Sequence, residues 1–398
     1  MVMLPRPRTG LDGRVSLIRD YTDDEARAAL VLKWGSVEPG VLPAWVAEMD
    51  YALAEPIAAA LHDAVERGEV GYPPYVRAGG PIGEAYAGFA LRHFGTGVPA
   101  DRVLPTADVT VGVRIALEVL SERAPMVLPL PAYDPQHGLG QITGREQWDL
   151  PVDPDGDSYV VDLDALDRLF VRGARTLLLT QPHNPGGHVH TRAELEGIRD
   201  VVTRHGARVV SDEIHGPLVL PGAEHVPYLS LEGTADHAVA VVAASKAFNI
   251  PGLKCAQILA GDDATRDRLV EIPMAQNDSW SPLGLVASVA AYDDGDPWLA
   301  ALIERLDQQR TLLGHLLAEH LPEARMRPLE ATYMVWLDLR AYGHDDPAEV
   351  ILDGGVRVSP GEIYWPGLVG HIRLNIATSP DRLTEIVRRM RSALTGSR

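Results

Sequence analysis

The chain has 398 residues, of which 46% are hydrophobic and 23% are charged, a composition typical of a globular protein rather than of a disordered or fibrous one. Its 36 basic and 55 acidic side chains give a net charge of −19, which argues against binding to nucleic acid or to an anionic membrane surface. The single cysteine, Cys255, excludes an intramolecular disulfide and a cysteine-based zinc site, and it indicates a reducing compartment.

Neither a membrane span nor a secretion signal is predicted. No apolar run reaches the ~18 residues that a membrane-spanning helix needs. The N-terminal stretch MVMLPRPRTGLDGR is basic but lacks the apolar segment of a signal peptide. We therefore expect a cytoplasmic protein without a membrane or nucleic-acid partner, in which any bound phosphate is held by helix N-termini and a few cations.

The middle of the chain alternates short apolar runs with amphipathic helices, which predicts an α/β fold with a mostly parallel sheet covered on both faces. The stretch 191–205 has a helical pattern, in which Thr191 is the expected N-cap and Glu194 its capping-box partner. The apolar runs predicted to be buried strands are Met126–Leu130, Thr176–Thr180, Arg208–Asp212, 239–245 and 255–261.

This regular alternation ends near Pro282, which indicates a second, smaller α+β domain. Predicted helices then cover 283–292, 298–320 and 381–394, and predicted strands cover 333–339 and 371–376. We expect three units: an N-terminal segment, 1–44, that packs with the small domain; a large domain, 45–282; and a small C-terminal domain, 283–398.

Lys246 follows the apolar run 239–245, which places its amine at the end of a predicted buried strand. Burial in an apolar pocket lowers the pKa of a lysine, and the neutral amine can then form a Schiff base with a carbonyl compound. A surface lysine at the start of a loop is the alternative interpretation of this position.

Three further side chains follow predicted strands in the same way. Asp212 ends one of them, at the edge of the sheet where open α/β folds bind ligands, unless it caps the next helix. Asn184 lies in the rigid turn QPHNPGG, which has a plain turn as its alternative, and Tyr133 follows Met126–Leu130. The turn also gathers histidines, but no carboxylate lies at ligand spacing, so no metal site is expected.

Two positions could bind anions. Asp108 could cap the predicted helix 111–120, which leaves N–H groups at the helix start free for a phosphate. Arg373 lies within the apolar run 371–376, where its guanidinium needs a carboxylate from a ligand or from a structural ion pair. A reactive lysine, an aspartate, an asparagine, a flat ring, a helix start and an arginine together match the requirements of pyridoxal phosphate.

The order and spacing of these motifs resemble the fold-type I pyridoxal-phosphate enzymes of the aminotransferase class I/II superfamily over nearly the whole chain. Within that superfamily, the sequence is similar to the MalY/PatB branch of cystathionine β-lyases, the cysteine-S-conjugate C–S lyases. The segments that carry the narrower resemblance are LPAWVAEMDY, GYPPY, LPLPAYDP, SDEIHGPLV, SKAFNIPGLKCAQ, AAYDDGDPWLAAL and ATYMVWLDLR. The resemblance implies a seven-stranded, mostly parallel sheet between helices, a smaller α+β domain, and a homodimer with active sites shared across the interface.

The resemblance also assigns roles to individual residues. Lys246 would bond to the cofactor and act as the catalytic base, while Asp212 would hold the pyridine nitrogen and Asn184 the ring oxygen. Arg373 would bind the substrate carboxylate, and Ala47 and Tyr333 would also contact the substrate. The other cofactor contacts implied are Val109, Thr110, Tyr133, His215, Ser245 and Lys254, with Tyr72 reaching the phosphate of the neighbouring subunit.

The activity that the resemblance implies is cleavage of cystathionine or another S-substituted L-cysteine to a thiol, pyruvate and ammonia. Transamination, or a biosynthetic elimination or decarboxylative deamination of a cysteine S-conjugate, is an alternative because the same cofactor groups serve each reaction. A catalytically idle sensor or protein-binding partner is disfavoured by the complete set of cofactor residues.

The sequence departs from the pattern of the branch at three places. Gly186 replaces the threonine of the usual Asn-Pro-Thr-Gly turn, Glu48 replaces an aspartate, and the segment 361–372 is bulky and aromatic instead of glycine-rich. We expect 361–372 and 274–280 to face the substrate. The departures leave the cofactor chemistry intact and the identity of the sulfur substituent open.

Overall fold

The computed structural model describes residues 17–73, 77–153, 159–277 and 279–396. The α-helices are α1 (Asp23–Ala29), α2 (Glu55–Glu66), α3 (Gly80–Phe94), α4 (Val109–Leu120), α5 (Leu139–Ile142), α6 (Leu163–Val171), α7 (Arg192–Arg204), α8 (Asp263–Val270), α9 (Pro282–Asp294), α10 (Asp296–His320), α11 (Pro347–Asp353) and α12 (Pro380–Thr395). The β-strands are β1 (Leu42–Pro43), β2 (Val103–Thr106), β3 (Met126–Leu130), β4 (Gln147–Pro151), β5 (Thr176–Thr180), β6 (Arg208–Asp212), β7 (Ala238–Val242), β8 (Ala256–Ala260), β9 (Arg325–Met326), β10 (Met334–Asp338), β11 (Val356–Arg357), β12 (Ser359–Pro360) and β13 (His371–Asn375).

A seven-stranded sheet in the order β2-β8-β7-β6-β5-β3-β4 forms the centre of the molecule. Its strands are parallel except for β8, which is antiparallel to both of its neighbours. Leu178 and Val210 point to one face, where they pack with the side chains of α4. Leu177 and Val209 point to the other face and pack with α6 and α7. The predicted α/β architecture with a mostly parallel, doubly covered sheet is confirmed.

Parallel pairing brings the carboxyl ends of three strands to one edge of the sheet. Thr180 at the end of β5 pairs with Asp212 at the end of β6, and Asp212 pairs with Val241 of β7. The predicted strand 239–245 is too long at this end, because the ladder with β8 stops at Val242. Lys246 therefore lies on the turn beyond the sheet, at the same edge as Asp212.

The helix predicted over 191–205 is α7, and its capping box is confirmed. Glu194 N donates to Thr191 Oγ1 at 3.3 Å, while Thr191 N donates to Glu194 Oε2 at 2.6 Å. These two bonds satisfy N–H groups that have no partner within the helix. Within the described residues, no helix is both long and apolar enough to cross a membrane.

The C-terminal part contains a four-stranded antiparallel sheet, in the order β12-β13-β10-β9, and the helices α10, α11 and α12. The N-terminal segment contacts this part, because β1 pairs with β11 and Trp34 Nε1 donates to Asp50 Oδ1 at 2.8 Å beside Arg382. Helix α9 follows residue 281 but packs against α2 and α3, which precede the large sheet in the chain. The structure therefore shows no sharp boundary at residue 282. The division into three units stays a prediction.

Candidate active site

A cavity of about 290 Å³ opens at the carboxyl edge of β5, β6 and β7. The sequence-predicted site residues that line it are Ala47, Val109, Thr110, Tyr133, Asn184, Asp212, His215, Ser245, Lys246 and Lys254. Most of them lie at or just beyond the carboxyl ends of strands, which meet at one edge of the sheet, while Ala47 comes from the segment between β1 and α2.

The amine of Lys246 enters the cavity from the turn after β7. Its Nζ donates to the carbonyl oxygen of Ala47 at 3.1 Å. Burial, together with the positive charge of Arg373, lowers the pKa of Lys246 to about 8. An appreciable fraction of this amine is therefore neutral near physiological pH, as a nucleophile or a general base requires.

Asp212 is buried at the end of β6, and both of its carboxyl oxygens accept hydrogen bonds. Ile214 N donates to Oδ1 at 3.2 Å, and Gln136 Nε2 donates to Oδ2 at 3.1 Å. Burial raises the pKa of Asp212 to about 7. A cationic partner would favour the ionised form, so the site suits a protonated ring nitrogen.

Gln136 and Thr180 line the cavity but were not predicted from the sequence. The amide of Gln136 donates to Thr180 Oγ1 at 2.9 Å as well as to Asp212. Thr180 ends a predicted strand, and Gln136 lies just beyond the LPLPAYDP motif. Thr180 could have been chosen as a polar residue at a strand end, whereas Gln136 lies six residues beyond the end of β3.

His215 lies beside Lys246 in the cavity wall and is 2% exposed. Burial lowers the pKa of its ring to about 3, with further contributions from the charges of Lys246 and Arg373. The ring is therefore neutral, and its buried Nδ1 has no hydrogen-bond partner in the structure.

Arg373, in β13, is 4% exposed and does not itself line the cavity, but it bonds to Asn184 of the cavity wall. Its Nη1 donates to Asn184 Oδ1 at 3.1 Å, its Nη2 donates to the carbonyl oxygen of Trp45 at 2.9 Å, and its guanidinium lies 4.7 Å from the centre of the Tyr364 ring. The buried Nε has no hydrogen-bond partner. Since it forms no ion pair with any described carboxylate, this guanidinium is suited to a carboxylate from a ligand.

The start of α4 forms the opposite end of the cavity. Asp108 caps the helix by accepting from Val111 N at 2.8 Å, and its other carboxyl oxygen pairs with Lys254 Nζ at 2.8 Å. Burial alone would raise the pKa of Asp108, but these hydrogen bonds hold it below its ordinary value. The first-turn residues Val109 and Thr110 thus lie beside a lysine, an arrangement that suits a phosphate.

Tyr333 and Tyr72 do not line the cavity. Tyr333 is fully buried, and its hydroxyl donates to the carbonyl oxygen of Ala47 at 3.1 Å, so it lies behind the segment that forms the wall. Tyr72 is fully exposed on the single chain. Its neighbours 74–76 lie outside the described residues.

The segments 361–372 and 274–280, which were predicted to face the substrate, lie outside the cavity wall where the structure describes them. Tyr364, from 361–372, packs against the Arg373 guanidinium. In 274–280, Asn277 Nδ2 donates to the carbonyl oxygen of Pro105 at 2.9 Å, and residue 278 lies outside the described residues. The described residues of neither segment line the cavity.

Of the histidines after β5, His183 and His188 have polar partners, whereas neither ring nitrogen of His190 has a hydrogen-bond partner among the described residues. His188 lies 2.9 Å from Glu330 and 3.4 Å from Glu194, and His183 Nδ1 accepts from Gly186 N at 3.1 Å. Within the described ranges, no group of three or more histidine, cysteine or acidic side chains is arranged to hold a metal ion.

Comparison with known proteins identifies the family. Residues 84–390 match the family described as aminotransferase class I and II. The chain belongs to this family. It is 37% identical to a provisionally assigned cystathionine β-lyase of Mycobacterium leprae, over 96% of this chain and 99% of that protein. It is 33% identical to the cystathionine β-lyase of Corynebacterium glutamicum, over 93% of this chain and 98% of that protein.

A solved structure shares the whole architecture. It is a protein of Corynebacterium diphtheriae, provisionally assigned as a pyridoxal-phosphate-dependent β-cystathionase, with a TM-score of 0.91 and 32% identity. The match covers 96% of this chain and 100% of that one. The fold is therefore that of the fold-type I enzymes expected from the sequence.

Proposed function

We propose that this protein is a pyridoxal-phosphate-dependent C–S β-lyase that cleaves cystathionine or another S-substituted L-cysteine to a thiol, pyruvate and ammonia. The observation that carries the proposal is that Lys246 and Asp212 line one cavity, and that the Arg373 guanidinium is bonded to Asn184 of the cavity wall. Similarity to cystathionine β-lyases over nearly the full chain supports this activity over others of the family.

The chemistry of the donor set fits the cofactor. A primary amine of lowered pKa suits an aldehyde, a buried carboxyl suits a protonated ring nitrogen, and a helix start beside a lysine suits a phosphate. The residues that would hold the cofactor are Lys246, Asp212, Asn184, Tyr133, Val109, Thr110, His215, Ser245 and Lys254. The guanidinium of Arg373, whose Nε has no hydrogen-bond partner among the described residues, would bind the carboxylate of the amino acid.

When bound, pyridoxal phosphate supplies an electron sink that stabilises negative charge on the substrate Cα. The chain's own groups do the rest. Arg373 binds and orients the α-carboxylate. Lys246 Nζ, neutral in part because its pKa is about 8, takes the Cα proton. Asp212 keeps a proton on the ring nitrogen.

The C–S bond of the substrate then breaks, and the sulfur leaves with the bonding electrons as a thiolate. Lys246, which has just gained a proton, can donate that proton to the leaving sulfur. One water molecule is consumed as pyruvate and ammonia form. Val46 and Leu32 line the same cavity and add apolar surface to it.

Transamination is the competing assignment, because the match is to an aminotransferase family and the same residues would serve it. The two reactions differ in their products. The holoenzyme is incubated with L-cystathionine in the absence of any keto acid, and pyruvate and free thiol are assayed while the visible spectrum is recorded. We expect stoichiometric thiol and pyruvate. Conversion of the cofactor to its amine form without thiol would establish transamination instead.

We infer that the active unit is a homodimer in which Tyr72 serves the site of the neighbouring copy. The full exposure of its ring on the single chain leaves it accessible to a second copy, and tyrosine is enriched at interfaces. Mixing Tyr72→Ala and Lys246→Ala chains tests it. A mixed dimer with shared sites has one intact site, so activity returns on mixing; if the sites are not shared, the mixture has no more activity than the two variants alone.

We further propose the division into units 1–44, 45–282 and 283–398, and a cytoplasmic location. The pairing of β1 with β11 supports packing of the N-terminal segment on the C-terminal unit. A free, buried Cys255 is compatible with a reducing compartment. Limited proteolysis near residue 282 and fractionation of the source cells test these two proposals.

A further inference from the structure

Glu48 carries an acceptor that has no donor. Glu48 is among the residues that line the cavity, and its buried Oε2 has no hydrogen-bond partner among the described residues. The carboxyl also forms no ion pair with any lysine, arginine or histidine of the described chain. A buried acceptor left unpaired is unfavourable by more than a typical hydrogen bond contributes, so the site is complementary to a donor from elsewhere.

The other carboxyl groups of the cavity are already satisfied. Asp212 accepts from Ile214 N and Gln136 Nε2, and Asp108 accepts from Lys254 and from its own helix. Glu48 is thus the carboxyl of the described cavity wall that remains available to a ligand. Its role differs from that of the groups expected to hold the cofactor.

The backbone of Glu48 is fixed on both sides, so its side chain is presented from a defined position. Its carbonyl oxygen accepts from Lys33 Nζ at 3.0 Å and from Asn375 Nδ2 at 2.7 Å. The preceding residue, Ala47, accepts from Lys246 Nζ. Glu48 therefore borders the amine at which the substrate reacts, where the substituent of a bound amino acid has to pass.

We propose that Glu48 determines specificity by binding a cationic group on the sulfur substituent of the substrate. This inference rests on the proposed function and narrows it to S-substituted cysteines whose substituent carries a protonated amine or a similar cation. The cation supplies a donor to the Glu48 carboxyl, and the charge-assisted bond is stronger than a neutral one.

A pair of isosteric substrates tests the proposal. S-(2-aminoethyl)-L-cysteine and S-propyl-L-cysteine have the same length, and only the first carries a terminal ammonium. For the wild-type holoenzyme we expect kcat/KM to favour the ammonium substrate, and Glu48→Gln to reduce that preference about tenfold or more, mainly through KM. Glu48→Asp, which keeps the charge, should retain part of it. Glu38→Gln removes an exposed carboxyl ten residues before Glu48 and should leave the preference unchanged.

Binding provides a readout that does not depend on elimination. L-lysine and L-2-aminoheptanoate match the two substrates but have carbon in place of sulfur, so nothing can leave from Cβ. Calorimetric titration of the holoenzyme should give a lower Kd for L-lysine, and Glu48→Gln should remove the difference. If no substrate yields pyruvate, the lyase assignment fails while this titration still decides the role of Glu48. Equal losses for both members of a pair would overturn the inference, because Glu48 would then act on Lys246 or on the fold.

Discussion

Arg373 Nη1 donates a hydrogen bond to Asn184 Oδ1 at 3.1 Å. Asn184 follows β5 of the seven-stranded sheet, and Arg373 lies in β13 of the C-terminal sheet, so this bond joins the two sheets at the cavity. One end of it serves the expected cofactor and the other the expected substrate. A carboxylate that binds Arg373 will therefore compete with the Asn184 amide oxygen for the guanidinium.

Replacing Lys246 with alanine removes both the covalent anchor and the base. We expect kcat to fall by at least about 1000-fold and the visible absorption of the lysine-bound cofactor to disappear. Absorption spectra and pyruvate release measure the two effects. Lys254→Ala, which retains Lys246, should keep the absorption and weaken only cofactor affinity; persistence of the band in Lys246→Ala would show that another lysine is used.

Replacing Arg373 with lysine keeps the charge but removes the planar fork that binds a carboxylate through two bonds. We expect kcat/KM for L-cystathionine to fall about 100-fold, with most of the loss in KM. Steady-state kinetics with Arg391→Lys, an exposed position on α12, provide the control. Unchanged KM in Arg373→Lys would mean that the α-carboxylate binds elsewhere.

The stability of the cofactor-free protein should depend on pH through Asp212. Burial raises its pKa to about 7 from an ordinary 3.8, so folding favours the protonated carboxyl. That contribution is complete below about pH 4 and is lost as the pH rises through 7. Relative to Asp212→Asn, the free energy of unfolding of the wild type should fall by up to about 4 kcal/mol between pH 4 and pH 8.

Urea denaturation of both proteins at several pH values measures this difference. Bound cofactor should reverse the trend, because a protonated ring nitrogen favours the ionised carboxyl. A difference between the two proteins that does not vary with pH would show that Asp212 titrates normally.

Asn249 should contribute strongly to stability through the segment 45–49. Its Oδ1 accepts from Met49 N at 2.9 Å and its Nδ2 donates to Met49 O at 2.8 Å, with a φ of 57° that asparagine tolerates better than most residues. Asn249→Ala removes both bonds, and we expect a loss of about 2 kcal/mol or more. Urea denaturation measures it; Asn249→Asp sets a carboxylate oxygen against the Met49 carbonyl oxygen and should not restore the lost stability.

The parts of the fold and site that could be predicted are those that depend on neighbouring residues in the chain. Apolar runs ended at Asp212 and shortly before Lys246, and parallel pairing then required their ends to meet. The antiparallel direction of β8 and the position of Tyr333 behind Ala47 depend on packing between distant segments. Gln136 was missed for a related reason, because its contact with Asp212 joins a loop after β3 to the end of β6.

The segment 45–49 holds its neighbours through main-chain atoms. The carbonyl oxygen of Trp45 accepts from Arg373. That of Ala47 accepts from Lys246 and Tyr333. That of Glu48 accepts from Lys33 and Asn375. A carbonyl is present whatever the side chain, and it does not titrate. Positions 46 and 48 can therefore be varied in a combinatorial library without removing these contacts, which makes this segment a practical place to engineer substrate preference.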